Sequence, residues 1–139
     1  MTTKLHKYQS GVYQIEFALV AGFLFLLLFA VMEIGKVMYF YSTANELTRR
    51  AARLAAVCDK NASVIAKTVT ARLTFLTKDN VSVVYIPDGC TNANCKLITV
   101  GLKNAVYTSS IVPISVTLPA FSTTIPRESM NSALNAECS

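Results

Sequence analysis

From Phe17 to Met32 the chain runs sixteen residues without a charge or a hydrogen-bonding side chain. Extended outward to Ile15 and Ile34, the stretch is twenty residues long, broken only by Glu16 and Glu33 near its two ends. At about 1.5 Å per helical residue it spans roughly 30 Å, the hydrocarbon thickness of a bilayer. The pattern predicts a transmembrane helix over about 15–34. A cleaved secretory signal would need a shorter apolar core followed closely by a small-x-small site. The nearest such site, Ser42-Thr43-Ala44, lies beyond Glu33, Lys36 and Tyr39-Phe40-Tyr41, so the segment reads as a retained anchor.

Past the apolar run the pattern turns amphipathic. Ala44, Leu47, Ala51, Leu54, Ala55 and Cys58 recur at helical spacing, with Glu46, Arg49, Arg50 and Arg53 mainly opposite and Glu46 and Arg50 at i,i+4. With no proline before Pro87, one helix over 12–57 is predicted, about 70 Å long. Asp59 is a candidate cap for a second helix with the stripe Ile65, Val69, Leu73 and Leu76, ended by Lys78-Asp79-Asn80. Strand patterns follow over 81–86, 96–102 and 114–118, with Pro87-Asp88-Gly89 as a turn signal and Pro113, Pro119 and Pro126 punctuating the end of the sheet and the tail. The expected fold class is α+β: one long N-terminal helix, a second helix and a small three-stranded antiparallel sheet. The expected organisation is a polar, basic leader over 1–11, the long helix over 12–57 and an α/β domain over 58–139.

Cys58, Cys90, Cys95 and Cys138 all follow the apolar run. An even number in a small domain fits a disulfide framework in an oxidising compartment. Of the three possible pairings, Cys90 with Cys95, closing a short loop, and Cys58 with Cys138, tying the C-terminus to the first helix, is preferred. A zinc site built from all four is the alternative, for which one close pair and two distant singles is poor spacing. A domain of roughly 80 residues has little core of its own, which makes disulfides useful staples.

Charge changes the picture less. The formal net charge is +5, and without Lys4 and Lys7 it falls to +3. No Lys/Arg run with interleaved aromatics is present, so nucleic-acid binding has little support. Counting Lys4 and Lys7 against Lys36, Arg49, Arg50 and Arg53 does not orient the segment. His6 is the only histidine, which leaves no Ser-His-Asp, Cys-His or His-ligated metal constellation beyond the leader. Asp59, Asp79, Asp88, Glu128 and Glu137 are scattered, and no phosphate-binding glycine loop occurs. No enzyme, cofactor or metal is expected. Asn61-Ala62-Ser63 and Asn80-Val81-Ser82 match a glycosylation sequon but read as helix-start and turn residues.

Gly11, then four residues, then Glu16-Phe17 and an apolar helix resembles the processing site of type IV-pilin-like signal sequences. Joined to Glu33-Ile34-Gly35-Lys36 and to Arg50-Ala51-Ala52-Arg53-Leu54-Ala55-Ala56, it resembles the TadE-like family: minor pilins, or pseudopilins, of the tight-adherence (Tad/Flp) pilus machinery. The likeness covers roughly residues 11–57. It implies a type IV pilin-like fold, cleavage after Gly11 by prepilin peptidase, and Val12 as the first mature residue. It implies that Lys4 and Lys7 hold the leader in the cytosol and that the C-terminal domain lies outside the inner membrane. Glu16, with Phe17 beside it, would serve subunit assembly by pairing with the α-amino group of Val12. Implied partners are the peptidase, TadF-like and TadG-like minor pilins, the major Flp pilin, an inner-membrane assembly platform and membrane lipid. The implied role is assembly or initiation of a pilus for surface adherence and biofilm growth. A permanently anchored periplasmic scaffold or binding subunit is the alternative, in which Glu16 is merely interfacial.

Overall fold

The computed structural model describes residues 9–109, 113–133 and 135–138. The leading helix, α1, runs unbroken from Gln9 to Val57, and the chain divides into two compact units, Met1–Lys36 and Val37–Ser139. Within the first unit the apolar stretch is unburied among the described residues: an 18-residue window of mean hydropathy 2.6 is 0% buried. Helical backbone satisfies its own hydrogen bonds, so an exposed apolar helix suits lipid as solvent. At the end of this unit Lys36 donates to Glu33 across 3.0 Å.

In the second unit the remaining part of α1 becomes the floor of the core. Ala44, Leu47, Ala51, Ala52, Ala55 and Ala56 are buried, and the Thr48 hydroxyl, also buried, donates to the Ala44 carbonyl at 2.8 Å. Small side chains on this face let the sheet and the second helix approach closely. Over it lie Ile98, Val100, Leu102 and Tyr85 from the sheet and Ile65, Val69, Leu73 and Leu76 from the segment after Asn61, in one continuous cluster. Each fully buried branched side chain there is worth about 1.5–3 kcal/mol.

The second helix, α2, spans only Ser63–Thr70. Leu73 and Leu76 keep their places in the apolar stripe through turns rather than helix, ahead of a single 3-10 turn over Lys78–Asn80. Asp59 does not cap α2. Ala62 occupies the N-cap without a side-chain bond, and the Asp59 carboxylate instead accepts from Asn92 Nδ2 at 2.7 Å. Between them Asn61 takes φ 63°, a left-handed conformation that asparagine tolerates well and that cannot continue a helix.

The main sheet has β1 (Val81–Ile86) and β2 (Leu97–Leu102) as an antiparallel hairpin, with Val83 opposite Val100 and Tyr85 opposite Ile98. Two short strands, β3 (Val106–Thr108) and β4 (Ser115–Thr117), form a separate antiparallel pair. The third strand of the main sheet is β5 (Ser122–Pro126), paired with β2 so that Ile125 opposes Ile98 and Thr123 opposes Val100. The run over 114–118 thus belongs to the smaller sheet, and the segment read as tail supplies the main sheet's third strand. Pro126 ends β5, which lies at a sheet edge, where a missing N–H is tolerated.

The C-terminal segment closes the far end of α1. The main-chain N–H groups of Glu128 and Met130 both donate to the Ala56 carbonyl, and those of Asn131 and the Ser129 hydroxyl to Val57. These contacts satisfy carbonyls that a helix end otherwise leaves without partners. Cys58–Cys138 joins the same two segments at a sequence separation of 80.

Candidate functional site

Three places hold the residues singled out by sequence. The first is the start of α1. Gly11 and Val12 lie in its opening turns, and Glu16 and Phe17 one turn later. All four are exposed, Phe17 to 75% and Val12 to 64%. Val12 and Glu16 stand at i,i+4, on one face of the helix and a turn apart. Glu16 makes no hydrogen bond or ion pair with any described residue. A Cβ added at Gly11 would meet nothing within 4 Å, so no packing demands glycine there, while glycine inside a helix costs about 1 kcal/mol relative to alanine. Lys4, Lys7 and His6 lie outside the described residues.

The second place is the exposed face of α1 beyond the apolar run. Arg50 Nε donates to Glu46 Oε1 at 2.9 Å, and Arg49 and Arg53 are also exposed. The Arg50 hydrogen bond, helped by the charges of Arg50, Arg49 and Arg53, holds the Glu46 carboxyl below the usual carboxylate range. Both partners are more than half exposed, so this is a solvated pair of small energetic weight.

The third is the disulfide end of the domain. Cys90–Cys95 closes a tight loop between β1 and β2, separate from Cys58–Cys138. All four cysteines are thereby oxidised, which leaves no thiolate for the zinc alternative. Lys60, which the sequence pattern reads as solvated, and Arg127 hold the loop in place. The Lys60 ammonium donates to the Cys90 carbonyl at 2.8 Å, and its backbone N–H to Asn92 Oδ1 at 3.1 Å. Arg127 Nη1 donates to the carbonyls of Asn92 and Ala93 at 2.7 and 2.6 Å. The Tyr85 hydroxyl accepts the Asn61 N–H at 3.0 Å, and burial of the ring raises its pKa despite that bond. Lone cations far apart in sequence carry no local pattern that announces such contacts.

The two sequons differ. The Asn80 carboxamide is fully engaged, accepting from the N–H and hydroxyl of Thr77 and donating to the carbonyls of Lys103 and Asn104. Asn61 is exposed and serves the left-handed turn. An open cleft of about 300 Å³ beside it is lined by Ser63, Ile65, Ala66, Lys78, Val81 and Val83, a set with no acid–base pair. No group of three metal-ligating side chains occurs among the described residues.

A helix of membrane length, unburied among the described residues, followed by a disulfide-bonded α+β domain, is consistent with an α+β pilin-like fold. The model of the TadE-like protein family matches residues 11–53, consistent with a TadE-like protein of the Tad pilus system. The match begins at Gly11 and ends at Arg53, so it takes in both the Glu16-Phe17 pair and the start of the Ala-Ala-Arg block, and it bears out the resemblance seen in the sequence. That family is one of pilus-associated proteins rather than enzymes, and the long apolar helix fits membrane anchoring in a pilus component. No curated protein and no solved structure matches the chain.

Proposed function

We propose that the chain is a minor pilin of the Tad/Flp system, inserted as a precursor, cut after Gly11 by prepilin peptidase, and assembled with other pilins to initiate or cap a pilus that serves adherence and biofilm growth. The observation that carries this reading is the carboxylate of Glu16, which pairs with no described residue and stands one helical turn from Val12. A charge borne into the middle of a bilayer costs on the order of 2.5–3.5 kcal/mol, so a carboxylate at the mouth of an apolar helix calls for a partner. Hydrolysis of the Gly11–Val12 peptide bond adds water across it, leaving a carboxylate on Gly11 and an amine on Val12. That amine is a cation at neutral pH, its pKa being about 7.7–8.0. It lies within reach of Glu16 of its own chain or of a neighbour.

The mechanism is one of solvent exchange. The apolar face of α1 is held in lipid, then buried among parallel helices in the assembly, while the disulfide-bonded domain forms the outer surface. TadF-like and TadG-like minor pilins, the major Flp pilin and the inner-membrane platform are the partners this role requires, with the N-terminus in the cytosol and the domain in the periplasm. Intact-mass and N-terminal analysis of protein made with and without a prepilin peptidase tests the reading. A peptidase-dependent N-terminus at Val12 is expected. An intact leader in native membranes would overturn it in favour of a permanently anchored scaffold subunit.

A further inference from the structure

Aromatic side chains gather where α1 enters the folded domain. The Phe40 ring lies 4.6 Å from that of Tyr107 and 5.2 Å from that of Phe75, and Tyr41 lies 5.0 Å from Phe121. Tyr39 and Tyr41 remain 62% and 47% exposed around this cluster, and Val106 of β3 and Ile114, just before β4, are open as well. Such half-wet rings are typical of the membrane–water interface.

Cations lie at the same end. Lys78 precedes β1 and Lys103 follows β2, and their backbones are locked together through Asn80, whose carbonyl accepts the Lys103 N–H at 2.9 Å. Arg72 stands three residues before Phe75. All three side chains are exposed, and none forms an ion pair with a described residue. The acid on these segments is Asp79. The disulfide end, by contrast, mixes Lys60, Lys96 and Arg127 with Asp59, Asp88, Glu128 and Glu137.

The first of these ends is the one nearest in sequence to the membrane segment. Phe40 follows Ile34, the last apolar residue of the membrane segment, by six residues, about 9 Å at helical rise. The headgroup layer is roughly 5–8 Å deep on each side. We propose that the end of the domain carrying Tyr39, Phe40, Tyr41, Arg72, Lys78 and Lys103 is a docking surface for anionic phospholipid headgroups. The aromatic rings sit at the interface and the three cations meet lipid phosphates, so the domain rests on the membrane before any assembly. This rests on the membrane placement of residues 15–34 and not on cleavage at Gly11.

Amine footprinting of the full chain in lipid nanodiscs tests it, comparing pure phosphatidylcholine with discs containing phosphatidylglycerol. Each nearby basic residue gains roughly a fivefold preference for an anionic surface, so acylation of Lys78 and Lys103 is expected to slow by about fivefold with the anionic lipid. Lys60 and Lys96, at the other end, should react alike in both. High salt should remove the protection, and inorganic phosphate added to the phosphatidylcholine discs should not reproduce it. Equal rates in the two lipids, or equal slowing at all four lysines, would overturn the proposal. Protection found only in native membranes would also overturn it, in favour of a protein partner. Failure of the chain to enter the discs would remove the membrane placement itself, whereas an uncut N-terminus would remove only the pilin reading.

Discussion

The main-chain N–H of Met130 donates to the Ala56 carbonyl at 3.2 Å, and the Met130 side chain is 1% exposed. This single residue caps α1 and fills the core above it, although its φ of 43° is one that non-glycine residues seldom adopt. Met130→Ala removes the filling and leaves the strain. The expected cost is about 2–5 kcal/mol, read as a lowered denaturation midpoint in detergent. A change below about 0.5 kcal/mol would mean that the tail does not pack on α1 in solution.

The two disulfides should differ in weight. Cys58–Cys138 has a sequence separation of 80, Cys90–Cys95 one of 5. Loop-closure entropy then assigns about 4.5 kcal/mol to the first and about 2 kcal/mol to the second. Paired Cys→Ser variants of each, compared by guanidinium unfolding, should keep that order. Equal losses would show that strain or residual structure in the unfolded chain outweighs loop entropy.

How far the chain announced its own structure varies by segment. The amphipathic half of α1 was plain because Ala44, Leu47, Ala51 and Ala55 recur at helical spacing, and all four are buried. β5 was hidden: Ser122-Thr123-Thr124-Ile125-Pro126 has a single large apolar residue and ends in proline. It is a strand because β2 offers it a full register, a tertiary fact without a local signal. The α2 stripe was legible while the helix was overlong, since Leu73 and Leu76 are buried equally well from turns. At the candidate site, Gly11 and Glu16 stand out because each is anomalous where it sits. Lys60, Asn92 and Arg127 are ordinary residues whose meeting depends on the whole fold.

Tyr85 predicts a pH dependence. Its hydroxyl has a raised pKa, chiefly from burial, so the folded state holds the proton more tightly than the unfolded chain. The unfolded group titrates near 10, so this contribution is complete below about pH 10 and falls as pH rises through the raised folded value. Tyr85→Phe removes the acceptor of the Asn61 N–H, at a cost of about 0.5–1.5 kcal/mol at neutral pH. It should also flatten the alkaline fall. Unfolding midpoints of both proteins at neutral and strongly alkaline pH check this, and parallel curves would refute it.

Gly101 is required by close approach. A Cβ there would lie 3.1 Å from the Phe121 carbonyl oxygen and 3.3 Å from Ser82 Oγ. The serine hydroxyl can swing away, but the Phe121 oxygen is backbone and already accepts the Leu102 N–H at 2.8 Å. Gly101→Val should therefore push β5 off β2 and cost about 1–3 kcal/mol. Faster amide exchange over 122–126 than over 81–86 would localise the damage, and unaltered exchange in β5 would contradict the strand order.

Glu16→Leu separates the two meanings of the carboxylate. If the side chain only marks the edge of the bilayer, leucine lengthens the apolar run from Ile15 onward and improves anchoring without loss of function. If it is held for the α-amino group of Val12, the variant should still insert, and still be cut after Gly11, yet fail to assemble. The two charges attract across a low-dielectric seam between helices, and leucine leaves the amine there alone. Glu16→Asp keeps the charge on a shorter arm and should assemble partially. Membrane fractionation, N-terminal analysis and pilus yield, measured together, tell these cases apart. Full pilus yield from Glu16→Leu would reduce the carboxylate to an interfacial residue.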